Sequence, residues 1–319
     1  MRTTRGGQLD VRRGEEQGPQ PLTEWLVDVQ SLDYGRFTLA ICIINLPHMT
    51  SIHPTAIVGP ECQIAPDAVI GPYCVLEGTV KLGSGVRLVG HVMLKGPVTI
   101  GARTMLYPGV CIGLEPQDLK FKPGDTTPGV TVGEDCLIRE HVTIHGATKD
   151  VATHIGNRVF MMACSHVGHD GWIGNNVTIV NNALVAGHVK VFDNATLSGN
   201  CAVHQFCRIG RMAFVSGLCA MAMELPPFCV GAHRNLITGV NLIGMRRAGY
   251  AREDITAVRN AYWHVLRRML PKGDLVAELE ARGKDSALVA EMAEFVRTAK
   301  RPVARGAKHA SLGDELDFT

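Results

Sequence analysis

The stretch IHPTAIVGPECQIAPDAVIGPYCVLEGTVKLGSGVRLVGHVMLKGPVTIGARTMLYPGVCI, residues 52–112, decides the fold. Counting by sixes from Ile52 gives Val58, Ile64, Ile70, Leu76, Leu82, Leu88, Leu94, Ile100, Leu106 and Ile112, eleven aliphatic residues without a miss. The count slips after Ile112 and resumes at Val132, Ile138 and Ile144. It slips again, then runs from Ile155 through Met161, Val167, Ile173, Ile179, Val185, Val191, Leu197, Val203, Ile209, Val215 and Met221. Two residues before each of these positions stands a small side chain, as at Ala68, Cys74, Val86, Ala183, Ala195, Cys201 and Ala213. A glycine often follows the aliphatic residue, as at Gly59, Gly71, Gly101, Gly156 and Gly210.

Repeats of this kind bury a core only by stacking on their neighbours. The period predicts a three-sided prism of short parallel strands, one hexad per side and three per coil. The aliphatic and small residues point inward, and Gly or Asn takes the strained turn conformation. Coils stack at about 4.8 Å, the ordinary strand spacing. The expected organisation is a poorly ordered extension at 1–48, the β-helix at 49–226, a C-terminal helical domain at 227–303 and a disordered tail at 304–319. Helices are expected at 252–269, 273–283 and 286–299 from their apolar spacing.

Composition agrees with this frame. The 319 residues include 35 glycines but only 5% aromatics, which suits tight stacking of small and branched side chains. A net charge of +2 gives no global reason to expect nucleic acid. Ten cysteines are scattered without a C-x-x-C pair, and Cys62, Cys74, Cys136, Cys201, Cys207 and Cys219 fall in the small inward slot. They read as packing residues, reduced and cytoplasmic. Residues 1–20 have the polar composition of a disordered segment. The apolar run Phe37–Leu46 is too short to span a bilayer and too far into the chain for an ordinary signal, so no stable membrane insertion is expected. Met49, directly before the first repeat, offers itself as an alternative start.

The phase of the repeat also locates chemistry. Every third hexad lies on one edge, and one such series is Ile112, Ile144, Val167, Val185 and Val203. Both insertions, 114–131 and 145–154, interrupt hexads of this series. Five of the 13 histidines follow it as well: His145, His166, His169, His188 and His204. Core packing favours no histidine, so such a column points to a functional site. Imidazole exchanges its proton near neutral pH, which suits a general base. Gly187 occupies the slot of His169 one coil later, where its N–H is a candidate oxyanion donor against the alternative of simple turn geometry. Asp170 is placed either to orient His169 or as a solvated turn carboxylate. Zinc held by a histidine pair is an alternative, although no Cys or Glu is matched to the column. Cys164 or Ser165 beside His166 is a candidate nucleophile lacking an orienting third group.

At these residues, the runs EPQDLKF, IREHVTIH, HVGHD, NNALVAGHV, AVHQFCRIG, LPPF and REDITAVRNAY resemble the acyl-[acyl-carrier-protein]–UDP-N-acetylglucosamine O-acyltransferases of lipid A biosynthesis. The resemblance covers residues 50 to about 268. It implies a left-handed parallel β-helix, a homotrimer with active sites between subunits, and transfer of a (3-hydroxy)acyl chain to the sugar 3-hydroxyl. No cofactor or metal is implied, because the acyl chain arrives on the phosphopantetheine of acyl carrier protein. The implied roles make His169 the base, Asp170 its orienting partner and the Gly187 N–H the holder of the thioester oxygen. Gln117, Asp118 and Lys120 bind the sugar nucleotide, UDP-N-acetylglucosamine. His145, His166, His188, His204 and Gln205 line the cleft, Asn241 and Arg247 contact the nucleotide, and Gly217 measures acyl length. The chain departs from the family where His145 is followed by Gly146, Ala147 and Thr148 rather than Arg-Gly-Thr, and at Ile243 and Ala248. Arg252, Arg259, Arg267 and Arg268 lie beside the apolar stripe of the 252–269 helix, where they could steer an acidic carrier protein. Related N-acyltransferases, coenzyme A-dependent sugar acetyltransferases and metal-dependent or scaffolding β-helices are the alternatives on this fold. Residues 1–48 are too short and polar for the uridine-binding domain that the N-acyltransferases carry.

Overall fold

A computed structural model describes residues 51–122 and 124–307, together with the backbone of strands 27–34 and 37–44. From Ser51 onward the chain is the expected left-handed parallel β-helix with helices at its C-terminal end. The first face stacks two-residue strands from Ser51–Ile52 to Phe214–Val215. The second runs from Ile57–Val58 to Ala220–Met221, and the third from Gln63–Ile64 to Arg208–Ile209. Each coil hands its backbone donors to the next in register, as where Thr178 N–H donates to Ala195 C=O (3.0 Å) and Val180 N–H to Leu197 C=O (2.8 Å). The aliphatic series from Ile70 to Met221 is buried almost without exception, and the small residues between, from Ala68 to Cys219, are buried with it. Burial raises the thiol pKa of Cys136 to about 11 and that of Cys201 to about 12, as a packing role requires.

The turn chemistry differs from the expectation. The glycine after the inward aliphatic residue is not in the left-handed region, except at Gly113, where the first insertion departs. It allows two coils to touch: a Cβ on Gly71 would lie 2.1 Å from Val89 O, and one on Gly101 would lie 2.5 Å from Gly133 O. The left-handed residue is the third after the aliphatic one, and it is rarely glycine. Asn176, Asn182, Asn194 and Asn200 hold it, but so do Asp170, His188, Phe206 and Leu218. Pairing above and below imposes that geometry and overrides residue preference.

The helical domain begins later than position 227. Strands Cys229–Ala232 and Leu236–Val240 extend the first face as an antiparallel hairpin, which reverses the chain and closes the stack. The helices are α1 (Leu242–Arg247), α2 (Arg252–His264), α3 (Lys272–Gly283) and α4 (Ala287–Arg297). Of these, α1 is short and has no sequence periodicity to announce it. The last coil holds the helices by its arginines. Arg208 pairs with the buried Glu224 carboxylate and donates to Phe295 C=O, while Arg211 pairs with Glu291 and Tyr250. Residues 304–307 are not a disordered tail. Arg305–Gly306 adds a parallel strand beside Leu236–Val240, with Ala304 N–H donating to Glu224 C=O, because that edge has unpaired backbone groups to offer. Residues 308–319 lie outside the described residues.

Within 1–48, Val27–Tyr34 and Phe37–Ile44 form an antiparallel hairpin that is a unit of its own. The remainder of the segment for which little order is expected lies outside the described residues. Among the described residues no helix is long and apolar enough to cross a membrane.

Candidate active site

Both insertions leave the edge between the second and third faces. The chain departs after Ile112 and re-enters the third face at Val130, then departs after Ile144 and re-enters at Thr153. The histidine column stands on this edge. His169 is 4% exposed, and its Nδ1 lies 2.7 Å from Asp170 Oδ2. With Nδ1 donating to the carboxylate, Nε2 is the basic atom. It faces the next coil: a Cβ on Gly187 would lie 2.6 Å from it. The second residue after the inward aliphatic is not needed by the ladder, and it is proline at Pro54, Pro60, Pro66, Pro72 and Pro108. At Gly187 the N–H exists and donates to no acceptor among the described residues. A proton acceptor and an unused backbone donor therefore border one space.

The neighbours tune this pair. The Asp170 carboxylate also accepts from Thr148 Oγ1 (2.7 Å) and Thr148 N–H (3.1 Å). Desolvation pushes its pKa up, but the hydrogen bonds from His169 and Thr148 outweigh that, so it lies below the ordinary carboxylate value. His188 packs edge-on to His169 with ring centres 5.0 Å apart, and its Nε2 is 3.6 Å from Asp170 Oδ2. His166 meets Thr143 Oγ1 through Nδ1 (2.8 Å) and is pushed down to about 4, first by burial and then by His145 and His169. It is neutral at physiological pH. Burial lowers His145 as well, and its Nδ1 has no partner.

A cavity of about 730 Å³ opens beside the column, within the ordinary range for a small-molecule site. Gln117, His166, His169, Gly187, His204 and Gln205 line it. Asp118 approaches closely enough for its charge to act on His188, and its Oδ1 accepts from Lys120 N–H (2.9 Å). Lys120 and Gln117 are exposed on the same loop. Three sequence candidates stand elsewhere. Asn241 caps α1 by accepting from Gly244 N–H and donating to Met212 C=O, and Arg247 is exposed in the last turn of that helix. Gly217 follows Val215 at the edge between the first and second faces, outside the cavity lining.

Other candidates lose their footing. Ser165 Oγ is buried without a hydrogen-bond partner, so no base can activate it, and Cys164 sits exposed at a different edge. His169, Asp170 and His188 bring ligand atoms within 4.8 Å of one another, a set that could hold a metal ion. Of the four arginines near α2, Arg267 stacks on Trp263 and donates to Ala307 C=O, and Arg268 pairs with Glu278. The sequence reading missed the outward column of the second face, Leu184, Ala202 and Ala220, which rises from His166 to Arg234 at the far end of the cavity. The residue preceding each inward aliphatic of the series would have revealed it. Thr148 was missed because insertion residues follow no period.

The chain resembles known proteins across both its domains. A family profile described as "Udp N-acetylglucosamine O-acyltransferase; Domain 2" matches residues 225–304. An acyl-[acyl-carrier-protein]–UDP-N-acetylglucosamine O-acyltransferase of Anaeromyxobacter sp. (strain Fw109-5) is 44% identical over 258 residues, 80% of this chain and 100% of that protein. One from Janthinobacterium sp. (strain Marseille) is 40% identical over 264 residues, 81% and 100%. The solved UDP-N-acetylglucosamine acyltransferase of Francisella novicida superposes with a TM-score of 0.77 at 31% identity, covering 84% of this chain and 98% of that one. The UDP-N-acetylglucosamine O-acyltransferase of Moraxella catarrhalis gives 0.75 at 32%, covering 80% and 99%. With the fold shared and relatives matched at this identity and coverage, the chain belongs to the acyl-[acyl-carrier-protein]–UDP-N-acetylglucosamine O-acyltransferase family.

Proposed function

We propose that the histidine edge transfers an acyl chain from acyl carrier protein to the 3-hydroxyl of UDP-N-acetylglucosamine, the reaction for which the family is named, in lipid A synthesis. The observation that carries this reading is the facing of His169 Nε2 and the free Gly187 N–H across one space. Nε2 takes the hydroxyl proton as the sugar oxygen attacks the thioester carbonyl carbon. The Gly187 N–H meets the negative charge that gathers on the carbonyl oxygen. When the C–S bond breaks, the imidazolium returns its proton to the departing phosphopantetheine sulfur. Asp170 holds the imidazole in the required tautomer and stabilises its charged form. Gln117, Asp118 and Lys120 bind the sugar nucleotide, and the apolar column Leu184–Ala202–Ala220 receives the acyl tail.

No metal enters this scheme. In it Asp170 Oδ2 serves His169 and Thr148, and no step needs an ion. Turnover should therefore survive treatment with EDTA. We assign the working enzyme as a homotrimer with sites between subunits. The groove is open on one side, and Gly217, Asn241 and Arg247 become useful only if a neighbour's copies face it. Light scattering should give the mass of three chains, and mixing inactive H169A with inactive R247A chains should restore activity. The free thiols of the described cysteines suit a cytoplasmic location, where an acyl carrier donor is available.

Purified protein given UDP-N-acetylglucosamine and 3-hydroxyacyl carrier proteins of several lengths should form the O-acyl sugar nucleotide, seen as a mass increase. Absence of ester with every donor would contradict the reading.

A further inference from the structure

The second insertion ends on the catalytic carboxylate. From His145 to Ala152 the chain leaves the repeat, and its contacts are specific. Gly146 N–H donates to Leu114 C=O (2.9 Å), and Ala147 N–H donates to Gly129 C=O (3.2 Å). Thr127 Oγ1 donates to Ala147 C=O (2.6 Å). The insertion is thus laid against the first one, which carries Gln117, Asp118 and Lys120. This delivers Thr148 to Asp170, where its N–H reaches Oδ1 and its hydroxyl reaches Oδ2. Thr153, where the chain re-enters the repeat, accepts from Asp170 N–H (2.9 Å) and fixes a backbone held at φ 58°.

The position of that carboxylate matters because two imidazoles compete for it. Oδ2 lies 2.7 Å from His169 Nδ1 and 3.6 Å from His188 Nε2. A small rotation of the carboxylate would exchange one partner for the other. The paired donors of Thr148 oppose that rotation, since moving either oxygen gives up a charge-assisted hydrogen bond.

We infer that Thr148 is a positioning residue of the transferase, directing the Asp170 carboxylate to His169 rather than His188. This rests on the reading of His169 as base. Because the carboxylate orients the imidazole and stabilises the charge it gains in the reaction, weakening their contact should move the acid limb of the pH–rate profile. A structural loop residue would not move that quantity.

The test uses the full-length enzyme and the acyl-transfer assay over a range of pH, with T148V, T148S, D170N, T148V/D170N and H169A. T148V keeps the shape and the backbone N–H but removes the hydroxyl. It should lower kcat about tenfold, the scale of one hydrogen bond to a charged group, with KM for both substrates little changed. The acid limb of its pH–rate profile should move to lower pH, and T148S should restore both quantities. In the D170N background the T148V change should cost nothing further, because its effect runs through that carboxylate. An unmoved acid limb in T148V, or an equal loss with and without Asp170, overturns the inference while leaving His169 as base. Full turnover by H169A would overturn the base and this inference together.

Discussion

Gly187 supplies the groove with a donor and with room for a neighbour. Its N–H is free because the ladder does not use that position, and its missing side chain leaves space for His169 Nε2. G187A keeps the N–H but places a methyl group 2.6 Å from the basic atom, so the imidazole must swing away or lose access to substrate. It should lower kcat by roughly a hundredfold, the scale of a lost oxyanion donor or a displaced base. The folded state should survive, since the atoms nearest that Cβ all belong to the His169 ring rather than to backbone, and Gly187 is not left-handed. G187A with near-normal kcat would mean that this space is not where the carbonyl binds. The same locality explains why Asp170 and Thr148 matter more than their exposure suggests. Asp170 acts through one oriented hydrogen bond on His169, and Thr148 through two on Asp170.

One hexad is too short to fold, and its contribution is the inward residue it lends the stack. Leu197 lies fully buried between Ile179 and Val215 on the first face. L197A should cost roughly 2–5 kcal/mol in denaturant unfolding, because coils locked in register cannot collapse onto the cavity. A cost below about 1 kcal/mol would show that the stack relaxes freely. At this scale much was legible in the sequence. A period of six carries side-chain direction with it, so the inward ladder, the common edge of both insertions and the histidine column could be read by counting. Features without a period could not. The left-handed residue is set by the coils above and below, which is why Phe206 and Leu218 occupy positions expected for Gly or Asn. Thr148 reaches Asp170, 22 residues later, from an insertion outside the repeat, and Arg305–Gly306 pairs with a hairpin that repeats nothing.

At the scale of the molecule, buried and half-buried imidazoles couple stability to pH. His145, His154, His166 and His188 are all lowered from 6.5, with burial the leading cause. Between 6.5 and about 4, the value for His166, the unfolded chain binds protons that the folded chain refuses. Stability therefore falls as pH falls through that window. The thermal midpoint should drop on acidification from neutral pH, and less steeply in H166N. A midpoint flat across the window would mean that these rings are not kept neutral in the folded state. The proposed mechanism rests on a single base, His169, whose carboxylate, donor and neighbours stand on one edge. The most direct measurement is single-turnover ester formation by H169A, followed by mass, with circular dichroism to check that the β-helix is intact. The account predicts a folded protein that binds UDP-N-acetylglucosamine and forms essentially no ester; rapid ester formation by that variant would contradict it.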